Sequence, residues 1–379
     1  MPQSKSKKVY ISVTLLIISA AILCAVNPAP ILFVYKTLYV KYVRITKSNF
    51  ACRFKDAQLE LAIEHAKAQP WVQKQIADDL APFKDGISHA QIETWFKNFQ
   101  HVTHTKLAKF TVKDGKVIVD TPTEFTSARS YKTVYSVVSI LAAKGKVPDC
   151  EFIVALNDYL AFVPPKAKNA AIFTFAKHTE IPVEQNTILI PDWMNVRYWD
   201  TLRSRIALGS KLYPWQRKRD IIHWRGGASD SMHHRMKLIK LKDKLTFLDV
   251  AMTEGDHSAQ RLDPENSLKF KYQIALDGSR CTWERMVWQM SANTLLIKPN
   301  SPQVQWFYKG LEPYKNYVPI KTVDEINISA IYNWLLEHDA EAKEISQNAN
   351  QFAKDNFKTQ DFFAYYAVLL QEYAKLYRG

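Results

Sequence analysis

Short apolar runs alternate with amphipathic helical segments along most of the chain, and this alternation predicts its fold. Asp114-Gly115, between two alternating runs, is typical of a tight hairpin turn, and Gly145 ends a helical run. The pattern in the first half predicts helices over 55–105 and 131–143, a hairpin of strands 110–113 and 116–120, and strands at 151–156, 171–175 and 187–190.

The second half repeats this alternation. It predicts strands at 220–224, 246–250, 272–276, 294–298 and 317–320, helices at 235–241, 284–290 and about 303–309, and three further helices to the end. Strands and helices that alternate at this spacing form parallel sheets with helices on both faces. We therefore predict an α/β fold of two Rossmann-like domains, 46–199 and 200–355, that face a ligand-binding crevice. A C-terminal helix, 356–379, is expected to pack back on the first domain.

The N-terminus has the pattern of a membrane anchor. A basic tail, 1–8, precedes an uncharged run, 9–26, which as a helix is about 27 Å long and close to the thickness of a bilayer core. We predict an uncleaved single-pass anchor; a cleaved signal peptide is the alternative. Residues 27–45 then alternate aromatic, basic and aliphatic side chains, which predicts an interfacial helix on anionic lipid. A helix packed on the folded body fits that segment equally well.

The chain is basic, with a net charge of +14 from 51 Lys and Arg against 37 Asp and Glu. Such a surplus favours partners that carry phosphate: nucleic acid, anionic lipid or a nucleotide ligand. The stretch 201–245 is especially basic, but no nucleic-acid-binding motif accompanies it, so nucleic acid is not an expected partner. Basic residues flank the predicted anchor on both sides and slightly favour a cytoplasmic body.

The first candidate site is the turn Trp224-Arg225-Gly226-Gly227 at the end of a predicted strand, with Arg235 in the next helix. Glycines let the backbone turn and approach a ligand closely, and N–H groups and arginines bind phosphate oxygens. A simple turn without a ligand is the alternative.

The second candidate site comprises Gly278, Ser279, Thr282 and Arg285, between a predicted strand and the next helix. The two hydroxyls and the nearby N–H groups are candidates for binding a diphosphate, with Arg285 as the counter-charge. A capped helix with solvated charges is the alternative.

The third candidate is Asp158, which lies just past the predicted strand at 151–156. An aspartate in that position points into the crevice of such a fold and can act as a general base on a hydroxyl group. An aspartate that caps the next turn is the alternative.

The chain offers little for a metal site. It has no Asp-x-Asp pair, which many enzymes use to hold a nucleotide-sugar through a divalent metal, and its four cysteines include no CxxC. We therefore expect arginine, lysine and helix N-termini to neutralise phosphate, and no metal cofactor. A disulfide between Cys52 and Cys150 is left open.

Motifs in a fixed order carry a resemblance to a known family. They are 157–159, similar to an Arg-Asp-Tyr segment, 224–226, similar to an aromatic-Arg-Gly turn, and the segments 271–285, 291–298, 306–308, 311–313, 317–319 and 324–326. Together they resemble glycosyltransferase family 90 over about 145–355. Asn316 stands where that family usually has His, and the spacing from Gly278 to Arg285 is one residue longer than in its protein O-glucosyltransferases.

The resemblance implies a GT-B fold, a UDP-sugar donor that is a substrate, no obligatory metal, and inversion at the anomeric carbon. It implies that Asp158 is the catalytic base. The 200–355 domain would bind the nucleotide-sugar, with donor contacts from Arg225, Gly226, Arg235, Gly278, Ser279, Thr282 and Arg285.

The expected function is transfer of a sugar to a glycan or lipid-linked glycan in lipopolysaccharide or surface polysaccharide biosynthesis. Glucose and xylose are the favoured sugars. The body is expected at the cytoplasmic face of a bacterial inner membrane. One alternative is a protein O-glucosyltransferase in a secretory lumen, anchored in the Golgi or endoplasmic reticulum membrane. Another is a non-catalytic glycan- or lipid-binding protein on the same fold.

Overall fold

The computed structural model describes residues 54–100, 106–157, 160, 170–230, 232–254 and 262–379. The predicted tail, anchor and interfacial segment, together 1–45, lie outside these ranges, and so does Cys52. Within the described ranges, no helix is both long enough and apolar enough to cross a bilayer.

The first half combines helices with short strands. Its elements are α1 (Asp56–Ala68), α2 (Pro70–Leu80), β1 (Ile87–Ser88), α3 (His89–Gln100), β2 (Leu107–Lys113), β3 (Lys116–Asp120), α4 (Arg129–Ala143), β4 (Cys150–Ala155), β5 (Ile172–Thr174), β6 (Lys177–His178), α5 (Pro182–Gln185), β7 (Ile188–Leu189) and α6 (Trp193–Leu212).

Five of these strands form a mixed sheet of order β3-β2-β4-β5-β7. β4, β5 and β7 are parallel, whereas β2 is antiparallel to both of its neighbours. The predicted parallel pairing therefore holds for β4, β5 and β7, and the predicted β2–β3 hairpin adds antiparallel strands at one edge. The hairpin itself is confirmed: Asp114 and Gly115 have φ of 50° and 71°, the left-handed pair that a two-residue turn requires.

The second half contains the longer alternation of strands and helices. Its elements are β8 (Arg219–Gly226), α7 (His234–Leu241), β9 (Leu248–Met252), α8 (Pro264–Ser267), β10 (Phe270–Ile274), α9 (Glu284–Met290), β11 (Leu295–Pro299), β12 (Gln303–Val304), β13 (Val318–Ile320), α10 (Glu325–Glu337), α11 (Asp339–Asn356), α12 (Thr359–Ala374) and β14 (Tyr377–Arg378).

The second sheet is wholly parallel, as predicted, with the order β13-β11-β10-β8-β9. All five residues of its central strand, β10, are buried, as expected for a parallel strand covered on both faces. The helix expected near 303–309 is wrong. Its place is taken by β12, which pairs antiparallel with β6, and by a 3-10 turn at Tyr308–Gly310. Pairing with β6 uses backbone groups that a helix would need for itself.

Two long helices link the halves. α6 begins where the Asp192 carboxylate accepts hydrogen bonds from the backbone N–H groups of Met194 and Asn195, and it runs across residue 200. α12 returns to the first half, where Tyr366 donates to the carbonyl oxygen of Pro191 at 3.0 Å and Tyr373 to that of a β4 residue at 2.9 Å. The boundaries at 199/200 and 355/356 stay predictions.

Candidate functional site

A cavity of about 340 Å³ opens at the carboxyl ends of β8 and β9, the edge where parallel α/β sheets usually bind ligands. The strand ends form one wall, and α8 and α9 form another. The residues that line it include Trp224, Arg225, Gly226, Gly227, Glu254, Gln273, Glu284, Arg285, Trp288 and Gln289. Arg225, Gly226 and Arg285, three residues singled out from the sequence, thus meet at one cavity.

The Trp224 indole organises this cavity. It is 1% exposed, and the guanidinium carbons of Arg235 and Arg285 lie 5.4 and 5.6 Å from its ring, within the range of cation–π contacts. Gly226 allows this placement, since a Cβ atom there would lie 2.5 Å from Cζ2 of the indole. The aromatic-Arg-Gly turn is therefore a packing unit as well as a cavity wall.

Arg225 is held by the neighbouring strand. Its Nη1 donates to the carbonyl oxygen of Asp249 at 2.7 Å, and its Nη2 forms an ion pair with the Asp249 carboxylate. Burial alone would raise the pKa of Asp249, but the hydrogen bond and charge of Arg225, together with the nearby His223, outweigh it and hold the pKa well below its usual value. Asp249 thus keeps its charge and fixes the orientation of Arg225.

Arg235 does not line the cavity. Its Nη1 donates to the carbonyl oxygen of Gly227 at 2.8 Å, and its Nη2 to that of Leu276 at 3.4 Å. It therefore joins the loops that follow β8 and β10. Its backbone N–H donates to Asp230 at 2.5 Å, so this carboxylate occupies a helix-start N–H group that the sequence had suggested for phosphate.

The second candidate segment lies beside the cavity as the 277–283 loop. A Cβ atom on Gly278 would lie 3.0 Å from Nη2 of Arg235, so glycine permits the two loops to meet. The Ser279 hydroxyl is hydrogen-bonded to the Ser229 hydroxyl, and Thr282, which is buried, donates to the side chain of Gln305 at 3.3 Å. These hydroxyls hold the loop in place, and a donor contact by either one stays a prediction.

The loop begins with a buried aspartate, Asp277, that is influenced by the charge of Lys298. Asp277 is 5% exposed, and burial raises its pKa to about 6 against the opposing influence of Lys298. Burial also lowers the pKa of Lys298, which Asp277 counteracts. The Lys298 ammonium lies 5.0 Å from the ring centre of Tyr308. The opposite charges of Asp277 and Lys298 partly compensate the burial of each.

One face of α9 carries cavity residues that the sequence reasoning missed. Glu284, Trp288 and Gln289 line the cavity together with Arg285, at helical spacing. Gln289 is 2% exposed, and its Oε1 has no hydrogen-bond partner among the described residues. Helical periodicity counted from Arg285 was the signal that could have found them. An indole and a buried amide are groups that recognise a planar base.

Two carboxylates also border the cavity. Glu254 accepts a hydrogen bond from the backbone N–H of Ala228 at 3.0 Å and so fixes the turn after Gly227, while Glu284 begins α9. Carboxylate oxygens accept hydrogen bonds from hydroxyl groups, such as those of a ribose.

Asp158, the predicted base, lies outside the described residues. The residue before it is placed: the Asn157 side chain accepts a hydrogen bond from the backbone N–H of Lys106 at 3.2 Å, just after β4 ends. Among the described residues, no group of three or more His, Cys, Asp or Glu side chains is arranged to hold a metal ion. The expectation of a metal-free enzyme stays a prediction.

Comparison with known proteins decides the family. Residues 64–379 match the family model described as glycosyl transferase family 90. The chain belongs to this family. The resemblance seen in the sequence is thereby confirmed, and with it the expectation of a glycosyltransferase.

The similar curated proteins are protein O-glucosyltransferases. Protein O-glucosyltransferase 2 of Danio rerio is 26% identical over 324 residues, which are 80% of this chain and 62% of that protein. Protein O-glucosyltransferase 1 of Homo sapiens is 24% identical over 327 residues, 79% of each chain. Among solved structures, Anabaena HepE in complex with UDP and glucose matches with a TM-score of 0.36 and 11% identity, over 55% of this chain and 63% of that one.

Proposed function

We propose that this chain transfers a sugar from a UDP-sugar to a hydroxyl group, on a GT-B architecture and with inversion at the anomeric carbon. The observation that carries the proposal is the meeting of Arg225, Gly226 and Arg285 at one cavity beyond the carboxyl ends of β8 and β9. Its volume falls within the range of small-molecule sites. Membership of a glycosyl transferase family supports the same reaction.

In this proposal the donor diphosphate binds to Arg225 and Arg285. Negative charge develops on the departing UDP, and two guanidinium groups already in place stabilise it without reorganisation. Asp249 keeps Arg225 oriented for this role. Trp288 provides a flat wall, and Gln289 provides an amide, for the uracil ring of the donor. We expect these groups, not a metal ion, to carry the diphosphate charge.

The base that removes the acceptor proton is proposed to be Asp158. It directly follows Asn157, at the carboxyl end of a buried strand of the first sheet. A carboxylate there would accept the hydroxyl proton as the oxygen attacks the anomeric carbon. This role rests on the family resemblance and on the position of the residue in the chain.

Two acceptors are candidates. The first is a glycan or lipid-linked glycan of lipopolysaccharide or surface polysaccharide, with glucose or xylose as the sugar. The second is a protein hydroxyl, and the names of the similar curated proteins favour it. The predicted anchor at 9–26 serves both: it would hold the body at the cytoplasmic face of a bacterial inner membrane in the first case, and in a secretory lumen in the second.

A transfer assay with the full chain tests the proposal. Different UDP-sugars are supplied with a lipopolysaccharide core oligosaccharide or with a panel of folded proteins, and UDP release is measured. We expect one donor to be consumed faster when one acceptor class is present, and EDTA to leave the rate unchanged. UDP release that needs added manganese would contradict the metal-free assignment. No release from any UDP-sugar would contradict the proposed reaction.

A further inference from the structure

A second cavity lies at the other end of the C-terminal sheet. Its volume is about 440 Å³, and it lies between α11 and the segment 210–216 with Asn293. The residues 214–216 precede β8 and Asn293 precedes β11, whereas the first cavity follows the ends of β8 and β9. The eight residues of β8 span roughly 26 Å. This second cavity, the polar groove, is therefore separate from the candidate donor site.

One face of α11 forms the long wall of the polar groove. Lys343, Gln347, Asn350 and Lys354 recur at helical spacing and all line it. The opposite wall adds amide and hydroxyl side chains, and no carboxylate is among the described residues that line the groove. Amides and hydroxyls both donate and accept hydrogen bonds, so this lining matches a ligand that does the same along its length.

Several of these polar groups are available to a ligand. Ser210 lines the groove, and its buried hydroxyl has no hydrogen-bond partner among the described residues. Buried hydroxyls are normally paired, so the Ser210 hydroxyl has a hydrogen bond to gain from a ligand. Asn293 and Asn350 are already oriented, because each donates from Nδ2 to backbone carbonyl oxygens, at 2.9–3.0 Å and at 2.6 Å respectively. The orientations of these two amides are thus fixed before a ligand binds.

The two lysines and the apolar wall of the polar groove indicate which class of ligand fits it. Lys343 and Lys354 are eleven residues apart on α11, which separates them by roughly 16 Å, and both line the groove. Pro214 and Trp215 add an apolar wall. A sugar chain has hydroxyls for the amides and C–H faces for the apolar wall, and carboxylate or phosphate substituents would pair with the lysines. Among the described residues two lysines line the groove, which is too few for the backbone of a nucleic acid.

We propose that the polar groove binds an acidic oligosaccharide at a distance from the donor cavity. This shares a ligand class with the proposed transfer to a glycan but does not require transfer. Binding is measured with no UDP-sugar present, so a failure here and a failure of the transfer reaction are distinguishable.

The test is equilibrium binding of the full chain to a labelled oligogalacturonate, with cello-oligosaccharide of equal length as the neutral probe and inorganic phosphate as competitor. We expect the acidic probe to bind at least about tenfold more tightly than the neutral one, since charge-assisted contacts exceed neutral ones. The double variant Lys343→Gln with Lys354→Gln should bind the acidic probe on the order of tenfold more weakly. The control variant, Lys237→Gln with Lys240→Gln, removes two exposed lysines outside the groove and should bind the acidic probe like the wild type.

Hydroxyl recognition has its own variant. Gln347→Ala keeps the charge of the chain. It should lower the affinity for the acidic probe by about threefold or more, because in this proposal it removes an amide that contacts sugar hydroxyls. The proposal is overturned by equal loss in the two lysine pairs, by unchanged binding in Gln347→Ala, by displacement with inorganic phosphate, or by displacement with UDP. It is overturned as well if neither probe binds.

Discussion

Arg280, in the loop beside the candidate donor cavity, donates from Nη2 to the Glu184 carboxylate of α5 at 2.6 Å, and both side chains are buried. The other carboxylate oxygen of Glu184 accepts the backbone N–H of His178 at 2.8 Å, in the strand that pairs with β12. One carboxylate thus ties the 277–283 loop to the first half of the chain. The loop is fixed by both halves and not by its own sheet alone.

Removing the Glu184 charge should destabilise the protein strongly. Glu184→Gln keeps the shape but leaves the Arg280 guanidinium buried without its counter-charge, a change that costs about 3–5 kcal/mol of unfolding free energy. Urea unfolding measures this loss. Glu180→Gln, at an exposed position nearby, is the control and should stay within about 0.5 kcal/mol of wild type. Equal stability of the two variants would show that the pair is not holding the loop.

The adjacent glycines at the end of β8, Gly226 and Gly227, should respond differently to a methyl group. In Gly226→Ala the new Cβ would meet the buried Trp224 indole at 2.5 Å, so we expect a loss of about 1–3 kcal/mol and weaker UDP binding. In Gly227→Ala it would meet the end of the Glu254 side chain at 2.7 Å, which can swing away. Thermal unfolding and UDP titration compare the two. A larger loss in Gly227→Ala would contradict the packing role of Gly226.

Lys218 should make stability depend on pH. It is 6% exposed, and burial lowers its pKa to about 7 from an ordinary value near 10.5. The unfolded chain therefore binds one more proton between these values, so stability rises with pH by at most about 1.4 kcal/mol per unit. Lys218→Met should be more stable at pH 7 by about 1–3 kcal/mol.

That gain should shrink as the pH approaches 10, because wild-type Lys218 is then increasingly neutral in both states. Comparing the variant with wild type by urea unfolding at each pH removes the contribution of other titrating groups. A constant difference across this range would show that Lys218 is charged in the folded protein.

Sequence pattern was sufficient for most of the C-terminal sheet. Strands that are buried on both faces read as continuous apolar runs, so 272–276 was predicted where the structure has Phe270–Ile274. The pattern failed at β12, which has two residues and exists because it pairs with β6 in the other half. Such a pairing is a tertiary contact that no local periodicity contains.

The candidate site was predicted in part. Arg225 and Gly226 end β8, and Arg285 lies in the first turn of α9, so topology alone brings them to one edge. Asp249 was missed because it lies on the neighbouring strand, where nothing local relates it to Arg225. The contact of Arg235 with the carbonyl oxygens of two loops depends on the direction of its side chain, which a sequence does not state.

Asp158→Asn should slow sugar transfer strongly and leave UDP binding unchanged. The change keeps the size of the side chain and removes the proton acceptor, and general bases contribute about 10²–10⁴-fold, so transfer should fall at least about 100-fold. UDP binding and melting temperature should stay at wild-type values. Asp243→Asn, at an exposed position, is the control. Transfer near the wild-type rate would place the base elsewhere, and loss of UDP binding together with stability would make Asp158 structural.

Calorimetric titration of the full chain with UDP tests the central claim most directly. We expect saturable binding by the wild type and affinity weakened roughly 10- to 100-fold in Arg285→Ala, because a charge-assisted contact contributes about 1.5–3 kcal/mol. Arg217→Ala removes an exposed arginine that does not line the cavity and should bind UDP like the wild type. No binding of UDP by the folded wild type, or unchanged affinity in Arg285→Ala, would contradict a donor site at this cavity.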